Sequence, residues 1–172
     1  MDVLFVVANN NFQDIEFTVP YEMIIARGCE AVVASGNGGM CKGVFGKEII
    51  SDYKLSEVVG DEFDLVIFIG GGGALEQYLD DPKYLSVAKN AKNIGAICVA
   101  PMLISDSGVL KDKRFTCWDD GSRTQINHII KNGGTYVNSS VVVDGNVITA
   151  NGPDAAEEFG MKLVEVMSSR CK

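Results

Sequence analysis

The chain has 172 residues, a formal net charge of −8 at pH 7 and a sequence pI near 4.6. A chain of this length can bury the core of one compact domain, so we predict a single domain over residues 1–172. Binding nucleic-acid phosphates requires clustered Lys and Arg, and the sequence has no such cluster, which argues against a nucleic-acid partner. The longest apolar runs have the length of strands, so neither a membrane-spanning segment nor a membrane partner is predicted.

The cysteines follow no CxxC or other close-spaced metal pattern; they are Cys29, Cys41, Cys98, Cys117 and Cys171. An odd count, together with a first segment that lacks the features of a signal peptide, predicts reduced thiols and a cytoplasmic protein. Because His128 is the only histidine, a histidine-based metal site is not expected, and no cofactor is predicted.

Apolar runs alternate with helical periodicity along the chain, which predicts a mostly parallel sheet covered by helices on both faces. Strands are predicted over residues 3–8, 30–34, 63–69, 95–97 and 113–117, and then as a hairpin of 140–143 and 147–149 around an Asp-Gly turn. Helices are predicted over residues 13–27, 75–79, 84–91, 99–104, 122–131 and 154–167. Residues 9–12 and 35–39 are predicted turns, 43–51 a hairpin arm with Gly46 near its tip, and 53–58 a short helix or turn.

Cys98 lies between the predicted strand 95–97 and the predicted helix 99–104, which has Pro101 in its first turn. A thiol at such a turn is close to the free N–H groups of the helix, and these groups favour the thiolate. This is the arrangement of a nucleophile elbow, with Cys in place of Ser. The alternative is a small buried core residue, but the position favours a reactive thiol.

Two further features accompany Cys98. Glu16 lies in the first turn of helix 13–27, where the helix dipole alone would explain an acid, so its role depends on whether it faces Cys98. The glycine run 70–73 follows the third predicted strand but lacks both the Lys-Ser/Thr of a P-loop and the G-x-G-x-x-G spacing. We therefore predict an oxyanion pocket made of backbone N–H groups, with a plain flexible loop as the alternative.

Four segments together resemble the ThiJ/PfpI family, which includes Parkinson disease protein 7-like proteins, PfpI-type proteases and glyoxalase III-like enzymes. The segments are Phe12-Gln-Asp-Ile-Glu16 with Val19-Pro20 behind it, Ile69-Gly-Gly-Gly-Gly73, Gly95-Ala-Ile-Cys-Val-Ala-Pro101 and Thr149-Ala-Asn-Gly-Pro153. The resemblance implies a flavodoxin-like three-layer α/β sandwich of the class I glutamine amidotransferase-like superfamily, and usually a homodimer. The arm 43–51 and the helix 13–27 are the surfaces that we expect to pair.

The same resemblance implies that Cys98 is the nucleophile and that Glu16 is its acid partner, protonated and hydrogen-bonded to the sulfur. A carboxyl beside a thiolate would hold a proton, because like charges at contact distance cannot both ionise. The resemblance also implies that Gly70, Gly71 and Val99 provide the backbone donors of the oxyanion pocket. Such donors would stabilise a tetrahedral oxyanion, or a sulfinate on oxidised Cys98.

The sequence departs from the family at its histidines. PfpI-type proteases have His directly after the Cys, where this chain has Val99, and other members have His at the position of Trp118. Trp118 and Asp119 are predicted pocket residues; Asp119 and Asp120 either replace the base or form a solvated turn. His128 lies in a predicted helix as an exposed or half-buried residue. Without an imidazole beside the thiol, a protease triad is not expected.

Three functions remain open. The sequence favours a redox-responsive protein in oxidative or carbonyl stress, in which Cys98 is oxidised and then stabilised by Glu16 and the oxyanion pocket. The second is a glyoxalase or deglycase that uses Cys98 as nucleophile and Glu16 as acid/base, so the expected small-molecule partner is a reactive carbonyl or an oxidant. The third is a non-catalytic binding module with Trp118 as a lid. A Cys98–Cys117 disulfide is a further possibility, although a core position is the favoured interpretation of Cys117.

Overall fold

Short apolar segments form the strands of the structure, a computed structural model that describes residues 2–168. The strands are β1 Asp2–Val6, β2 Asn10–Phe12, β3 Glu30–Ser35, β4 Gly39–Gly43, β5 Glu48–Ser51, β6 Tyr53–Lys54, β7 Leu65–Phe68, β8 Ile94–Ile97, β9 Arg114–Phe115, β10 Thr135–Tyr136, β11 Val141–Asp144 and β12 Val147–Ala150. The helices are α1 Asp14–Ile25, α2 Gly72–Tyr78, α3 Pro82–Asn90, α4 Ala100–Ser105, α5 Thr124–Lys131 and α6 Ala156–Ser168.

The central sheet has the strand order β11-β12-β8-β7-β1-β3-β6, and its strands are parallel except for β11, which is antiparallel to β12. The β1 side chains from Val3 to Val6 are completely buried, as expected for a strand with apolar layers on both faces. The helices form two groups, α1 packed on α6, and α4 packed with α2, α3 and α5. The predicted flavodoxin-like three-layer sandwich is therefore confirmed.

The strand order reverses at β1, which lies between β3 and β7. In open α/β sheets, ligands bind outside the carboxyl ends of the strands at such a point. The segments that follow β1 and β7 approach each other closely there, since a Cβ on Gly73 of α2 would lie 1.7 Å from the carbonyl oxygen of Asn10 of β2. The carboxyl ends of β1, β7 and β8 thus form the edge where Glu16, the glycine run and Cys98 are expected to meet.

Aromatic packing determines which side of α1 faces the sheet. The Phe17 ring lies 5.4 Å from the Phe5 ring of β1 and 5.0 Å from the Tyr21 ring, measured between centroids. Glu16 is completely buried on the same helix. The first turn of α1 is therefore pressed against the carboxyl edge of the sheet.

Several predicted elements are corrected. Residues 113–117 do not form a strand of the central sheet, because only Arg114–Phe115 pairs, and it pairs with Thr135–Tyr136 in a separate two-stranded sheet. Residues 10–12, a predicted turn, form β2 beside β4. The hairpin arm begins at Gly39 and is longer than predicted, with Gly46 in its turn at a φ of +92°. Within residues 2–168 no helix is long and apolar enough to cross a membrane; Cys171 lies outside these residues.

Candidate active site

Cys98 connects the buried strand β8 to helix α4 with a φ of +67°, in the left-handed region. This conformation costs about 1–3 kcal/mol for a residue with a side chain, and such strain is typical of functional sites. Two hydrogen bonds hold it: the Cys98 N–H donates to Ala150 O over 2.9 Å, and the Trp118 N–H donates to Cys98 O over 2.8 Å. The backbone at Cys98 therefore has the geometry of a nucleophile elbow, with its side chain 8% exposed.

Glu16 is held beside Cys98 by the glycine loop. Its Oε2 accepts a hydrogen bond of 3.0 Å from the Gly70 N–H, while Gly70 O accepts one of 3.0 Å from the Gln13 N–H. The Gln13 side chain also caps α1 by accepting from the Glu16 N–H over 2.9 Å. Both backbone groups of Gly70 are thus used to position the N-terminus of α1. This corrects the prediction that Gly70 is an oxyanion donor, since its N–H is already bound to the carboxyl.

The lack of side chains at two glycines lets these groups meet. A Cβ on Gly70 would lie 2.7 Å from the Cys98 Cβ and 2.8 Å from Glu16 Oε2. Gly71 has a φ of +107°, and its Cβ would lie 2.6 Å from Asn11 O. The backbone N–H groups of Gly71 and Val99 both interact with the Cys98 sulfur, so these two predicted donors surround the nucleophile.

Burial is the largest influence on the pKa values of Glu16 and Cys98. It raises the pKa of Glu16 from 4.5 to about 7, against the lowering effect of hydrogen bonds with Cys98 and Gly70. Burial also raises the pKa of the Cys98 thiol, and the Glu16 charge raises it further, whereas the N–H groups of Gly71 and Val99 lower it. The N–H groups at the helix N-terminus thus favour the thiolate as predicted, but desolvation and the Glu16 charge outweigh them, so the pKa of the thiol is raised.

The coupling has a chemical consequence. Glu16 and Cys98 are adjacent acids, and the charge of one affects the ionisation of the other. Their pKa values therefore describe the pair and not each residue alone. Above neutral pH the Glu16 carboxylate lies beside a neutral thiol and is in place to accept its proton. Within residues 2–168, Glu16 Oε1 is buried without a partner of good hydrogen-bond geometry, which leaves this oxygen available for proton transfer.

A cavity of about 410 Å³ lies next to the elbow. Its lining residues are Cys117, Trp118, Asp119, Tyr136, Asn138, Asn151, Gly152, Pro153 and Asp154. The structure thus places the predicted pocket residues Trp118 and Asp119 at this cavity, and a Cβ on Gly152 would lie 3.0 Å from the Trp118 ring. Tyr136, Asn138 and Asp154 could not be predicted from the sequence, because they come from separate segments of the chain and carry no motif.

The other candidates lie in turns or away from the thiol. Asp119 Oδ1 accepts the N–H groups of Gly121 and Arg123 over 3.1 and 2.8 Å, and Asp120 accepts from the Ser122 N–H over 2.9 Å, as in a solvated turn. His128 Nε2 lies 2.7 Å from Asp106 Oδ1, and this pair links α5 to the end of α4. No imidazole is therefore placed beside Cys98.

Cys41, Cys98 and Cys117 carry free thiols, so the alternative Cys98–Cys117 disulfide is not formed. Cys117 is buried, and burial together with the charge of Asp119 raises its pKa to about 12. No group of three or more His, Cys, Asp or Glu within residues 2–168 is arranged to hold a metal ion. The groups that the structure brings together at this edge of the sheet are the Cys98 thiol, the Glu16 carboxyl and the backbone N–H groups of Gly71 and Val99.

The chain is similar to known proteins in both sequence and fold. The sequence model of the DJ-1/PfpI family matches residues 1–166. The chain is 32% identical over 171 residues to the deglycase PfpI of Pyrococcus furiosus, covering 97% of this chain and 99% of the relative. It is 28% identical over 158 residues to the glutathione-independent glyoxalase DJR-1.2 of Caenorhabditis elegans, covering 90% and 82%. The crystal structure of a ThiJ/PfpI domain protein from Brachyspira murdochii superposes with a TM-score of 0.88 at 29% identity, covering 98% and 96%.

Proposed function

The chain belongs to the DJ-1/PfpI family, and from this premise we propose that it is an enzyme that uses Cys98 to act on small reactive carbonyl compounds. The observation that carries the proposal is the strained elbow at Cys98, with a φ of +67°, beside the buried carboxyl of Glu16. The relatives named deglycase and glyoxalase support carbonyl chemistry. Because of these relatives, we prefer the enzyme hypothesis to the redox-responsive protein that the sequence alone favoured.

The first step is addition of the Cys98 sulfur to the aldehyde carbon of a compound such as methylglyoxal. The Glu16 carboxylate accepts the thiol proton while the carbon–sulfur bond forms, and then delivers a proton to the new alkoxide, giving a hemithioacetal. The N–H groups of Gly71 and Val99 surround the sulfur and are suited to stabilise the negative oxygen beside it. Where the carbonyl carbon has already reacted with an amine, the Cys98 sulfur displaces that amine: the carbon–sulfur bond forms and the carbon–nitrogen bond breaks. Glu16 passes the thiol proton to the departing amine, and the same hemithioacetal results.

The second step moves a proton from C1 to C2 of the bound carbonyl. Glu16 is the one titratable side chain seen to interact with the Cys98 sulfur within residues 2–168, so it acts as both base and acid. The resulting thioester is hydrolysed by water, which releases a 2-hydroxy acid and restores the thiol. Because the pKa of Glu16 is about 7, its carboxyl can both accept and donate a proton near neutral pH.

The test is turnover of methylglyoxal, followed by loss of the dicarbonyl and appearance of the hydroxy acid. Cys98→Ser should abolish turnover, and Glu16→Gln should lower kcat by about 100-fold or more, since general acid–base catalysis contributes about 10²–10⁴-fold. Cys41→Ser is the matched control, because it changes another buried thiol, on β4, that does not line the cavity beside the elbow. Turnover that survives Cys98→Ser would refute the proposal.

Oxidation of Cys98 is a second candidate function, favoured by the donors around its sulfur. Each step would transfer one oxygen atom from a hydroperoxide and release water or an alcohol, first to sulfenic and then to sulfinic acid. A raised thiol pKa slows this reaction, which is why it ranks second. Mass spectrometry after peroxide treatment should show two added oxygens on Cys98 and none on Cys41; equal oxidation of the two would count against it.

We also propose a homodimer formed through α1 and the β4–β5 hairpin. Large exposed apolar side chains concentrate there, with Phe45 77% and Ile50 69% exposed. The surface, which we call the hairpin face, also includes Ile15, Ile25, Met40 and Val44. Apolar patches of this kind on soluble proteins mark protein–protein contacts, and a second copy presents the same patch for a two-fold pairing.

Light scattering of the protein as it elutes from a size-exclusion column measures the molecular mass of the oligomer in solution. Phe45→Glu and Ile50→Glu should give monomers, because a charge in the centre of an apolar interface is left desolvated. Leu79→Glu, which alters an equally apolar exposed residue outside the hairpin face, should leave the dimer intact. A wild-type monomer at micromolar concentration would contradict this proposal.

Finally, we propose a cytoplasmic location. Cys41, Cys98 and Cys117 are free thiols, which fits a reducing compartment. Cell fractionation with antibody detection tests it directly, and recovery of the protein outside the cytoplasm would contradict it.

A further inference from the structure

The turn of the β4–β5 hairpin is attached to the N-terminus of α1. The Val44 N–H donates to Phe12 O over 2.9 Å. The Phe45 N–H donates to Asp14 Oδ2 over 2.9 Å, and the Lys47 N–H donates to Asp14 Oδ1 over 2.8 Å. Backbone N–H groups of the hairpin turn therefore bind the start of α1, and two of them share one carboxylate.

The surroundings of Asp14 indicate that its carboxylate is an anchor for the hairpin. Asp14 is 8% exposed, and each of its two oxygens accepts a backbone N–H from residues 31 and 33 positions along the chain. Gly43 leaves the space for it, since a Cβ there would lie 2.5 Å from the Asp14 Cγ and from both oxygens. The helix dipole favours any acid in a first helical turn. It does not explain why this acid is buried and bound to a separate hairpin.

The glycine loop holds the same short segment from its other side. The Gln13 N–H donates to Gly70 O, and the Gly70 N–H donates to Glu16 Oε2, each over 3.0 Å. Gly70 in turn borders Cys98, because a Cβ on Gly70 would lie 2.7 Å from the Cys98 Cβ. Residues 12 and 14 thus bind the hairpin turn, whereas residues 13 and 16 bind the loop beside the thiol. A displacement of the hairpin turn would therefore move the Glu16 carboxyl relative to Cys98.

The Glu16 carboxyl needs such support because its burial is unfavourable. Glu16 is completely buried, and an ionised carboxyl loses its hydration there. Within residues 2–168 its Oε1 is buried without a partner, so the bond from Gly70 to Oε2 is opposed by this desolvation. Bonds on either side of the first turn of α1 prevent the carboxyl from turning towards water.

We infer that Asp14 is a positioning residue for Glu16: by fixing the hairpin turn to the first turn of α1, it keeps the Glu16 carboxyl against Cys98. The inference rests on the proposed function for the chemistry that Glu16 performs. The hairpin turn around Phe45 is thereby part of the support of the active site. A misplacement of about 1 Å in such a group can lower a rate about 100-fold, so a modest shift of the turn is enough to matter.

The test is a double-mutant cycle that follows alkylation of Cys98 by iodoacetamide at pH 8, measured by mass spectrometry of the Cys98 peptide. Glu16→Gln removes the charge and the proton acceptor beside the thiol, so it should change the alkylation rate at least about tenfold. In Asp14→Ala the carboxyl has moved away from the sulfur, and adding Glu16→Gln should then change the rate less than about twofold. Residues of one network show such non-additivity, whereas independent residues do not.

Asp81→Ala is the matched control. Asp81 also accepts two backbone N–H groups, each over 2.8 Å, but both belong to its own helix α3. In the Asp81→Ala protein the full effect of Glu16→Gln should remain. A full effect of Glu16→Gln in Asp14→Ala would overturn the inference. So would an equal reduction in Asp81→Ala, or the absence of any effect of Glu16→Gln in the wild type.

A second variant disturbs the anchor from the hairpin side and keeps the charge of Asp14. The Cβ of Gly43→Ala would displace the Asp14 carboxylate, so the effect of Glu16→Gln should again shrink, and this variant serves where Asp14→Ala does not fold. An undiminished effect in Gly43→Ala would also count against the inference.

Turnover of methylglyoxal gives a separate measurement. Asp14→Ala should lower kcat at least about tenfold and leave KM within about twofold, because Glu16 acts in the transition state. Alkylation of Cys98 requires no turnover. A wild type that does not turn over methylglyoxal would therefore refute the proposed function, while the alkylation cycle would still decide whether Asp14 positions Glu16.

Discussion

Replacement of Glu16 by Gln should make the protein more stable at neutral and mildly alkaline pH while it removes activity. In the folded protein, burial raises the pKa of Glu16 from 4.5 to about 7. In the unfolded chain the carboxyl ionises near its ordinary value, so between pH 4.5 and 7 the unfolded state loses a proton that the folded state retains. The free energy of unfolding therefore falls with rising pH across this window.

The size of the effect follows from the difference between the two pKa values. At about 1.4 kcal/mol per pKa unit, the buried carboxyl costs the folded state on the order of 3 kcal/mol above pH 7. The cost is absent below pH 4.5, where the group is protonated in both states. Gln has nearly the same shape and no charge, so the Glu16→Gln variant avoids this cost.

Urea denaturation of both proteins at several pH values between 4 and 8 measures the difference. The two curves should meet near pH 4 and separate by up to about 3 kcal/mol at pH 8, with the variant more stable. Glu22→Gln serves as the control because Glu22 is an exposed acid on the same helix. Parallel curves for wild type and Glu16→Gln would show that Glu16 titrates normally, and would refute the argument that burial prepares it for proton transfer.

Two further predictions test the geometry of the elbow. Cys98→Gly should be about 1 kcal/mol more stable than Cys98→Ala in thermal unfolding, because only Gly adopts a φ of +67° without strain; the usual order, Ala above Gly, would contradict the strained backbone. Gly70→Ala should reduce methylglyoxal turnover at least about 100-fold, since its Cβ would lie 2.7 Å from the Cys98 Cβ and displace Glu16, whereas Gly72→Ala, which has open space around its Cβ, should be close to wild type. Equal activities of the two variants would argue against close packing of thiol and carboxyl.

The elements that carry the thiol and the carboxyl could be predicted from the sequence because their signals are local. An apolar run before Cys98 and Pro101 after it predict the strand and the helix, and the structure has β8 and α4 there. The same holds for the hairpin of β11 and β12, where Gly145 adopts a φ of +62° in the Asp-Gly turn. Such signals depend on neighbours a few residues apart, so they do not require knowledge of the fold.

Errors arose where long-range pairing decides the structure. Residues 113–117 have the composition of a central strand, yet only Arg114–Phe115 pairs, and it pairs in a separate two-stranded sheet. The chain then donates the Trp118 N–H to the elbow. Residues 10–12 have turn chemistry but pair with β4, which approaches from a later part of the chain. Pattern alone does not reveal which partner strand is available.

The sequence by itself determined that the chain forms a mostly parallel α/β sheet with a Cys at a strand-to-helix turn, because hydrophobic period and turn residues specify these features locally. Only the tertiary structure decided that Gly70 binds Glu16 and does not serve as an oxyanion donor, and that Tyr136 and Asp154 share a cavity with Trp118. It also decided the direction in which the pKa values of Glu16 and Cys98 are shifted. Desolvation depends on how many atoms surround a group in three dimensions, and that quantity has no local sequence signal.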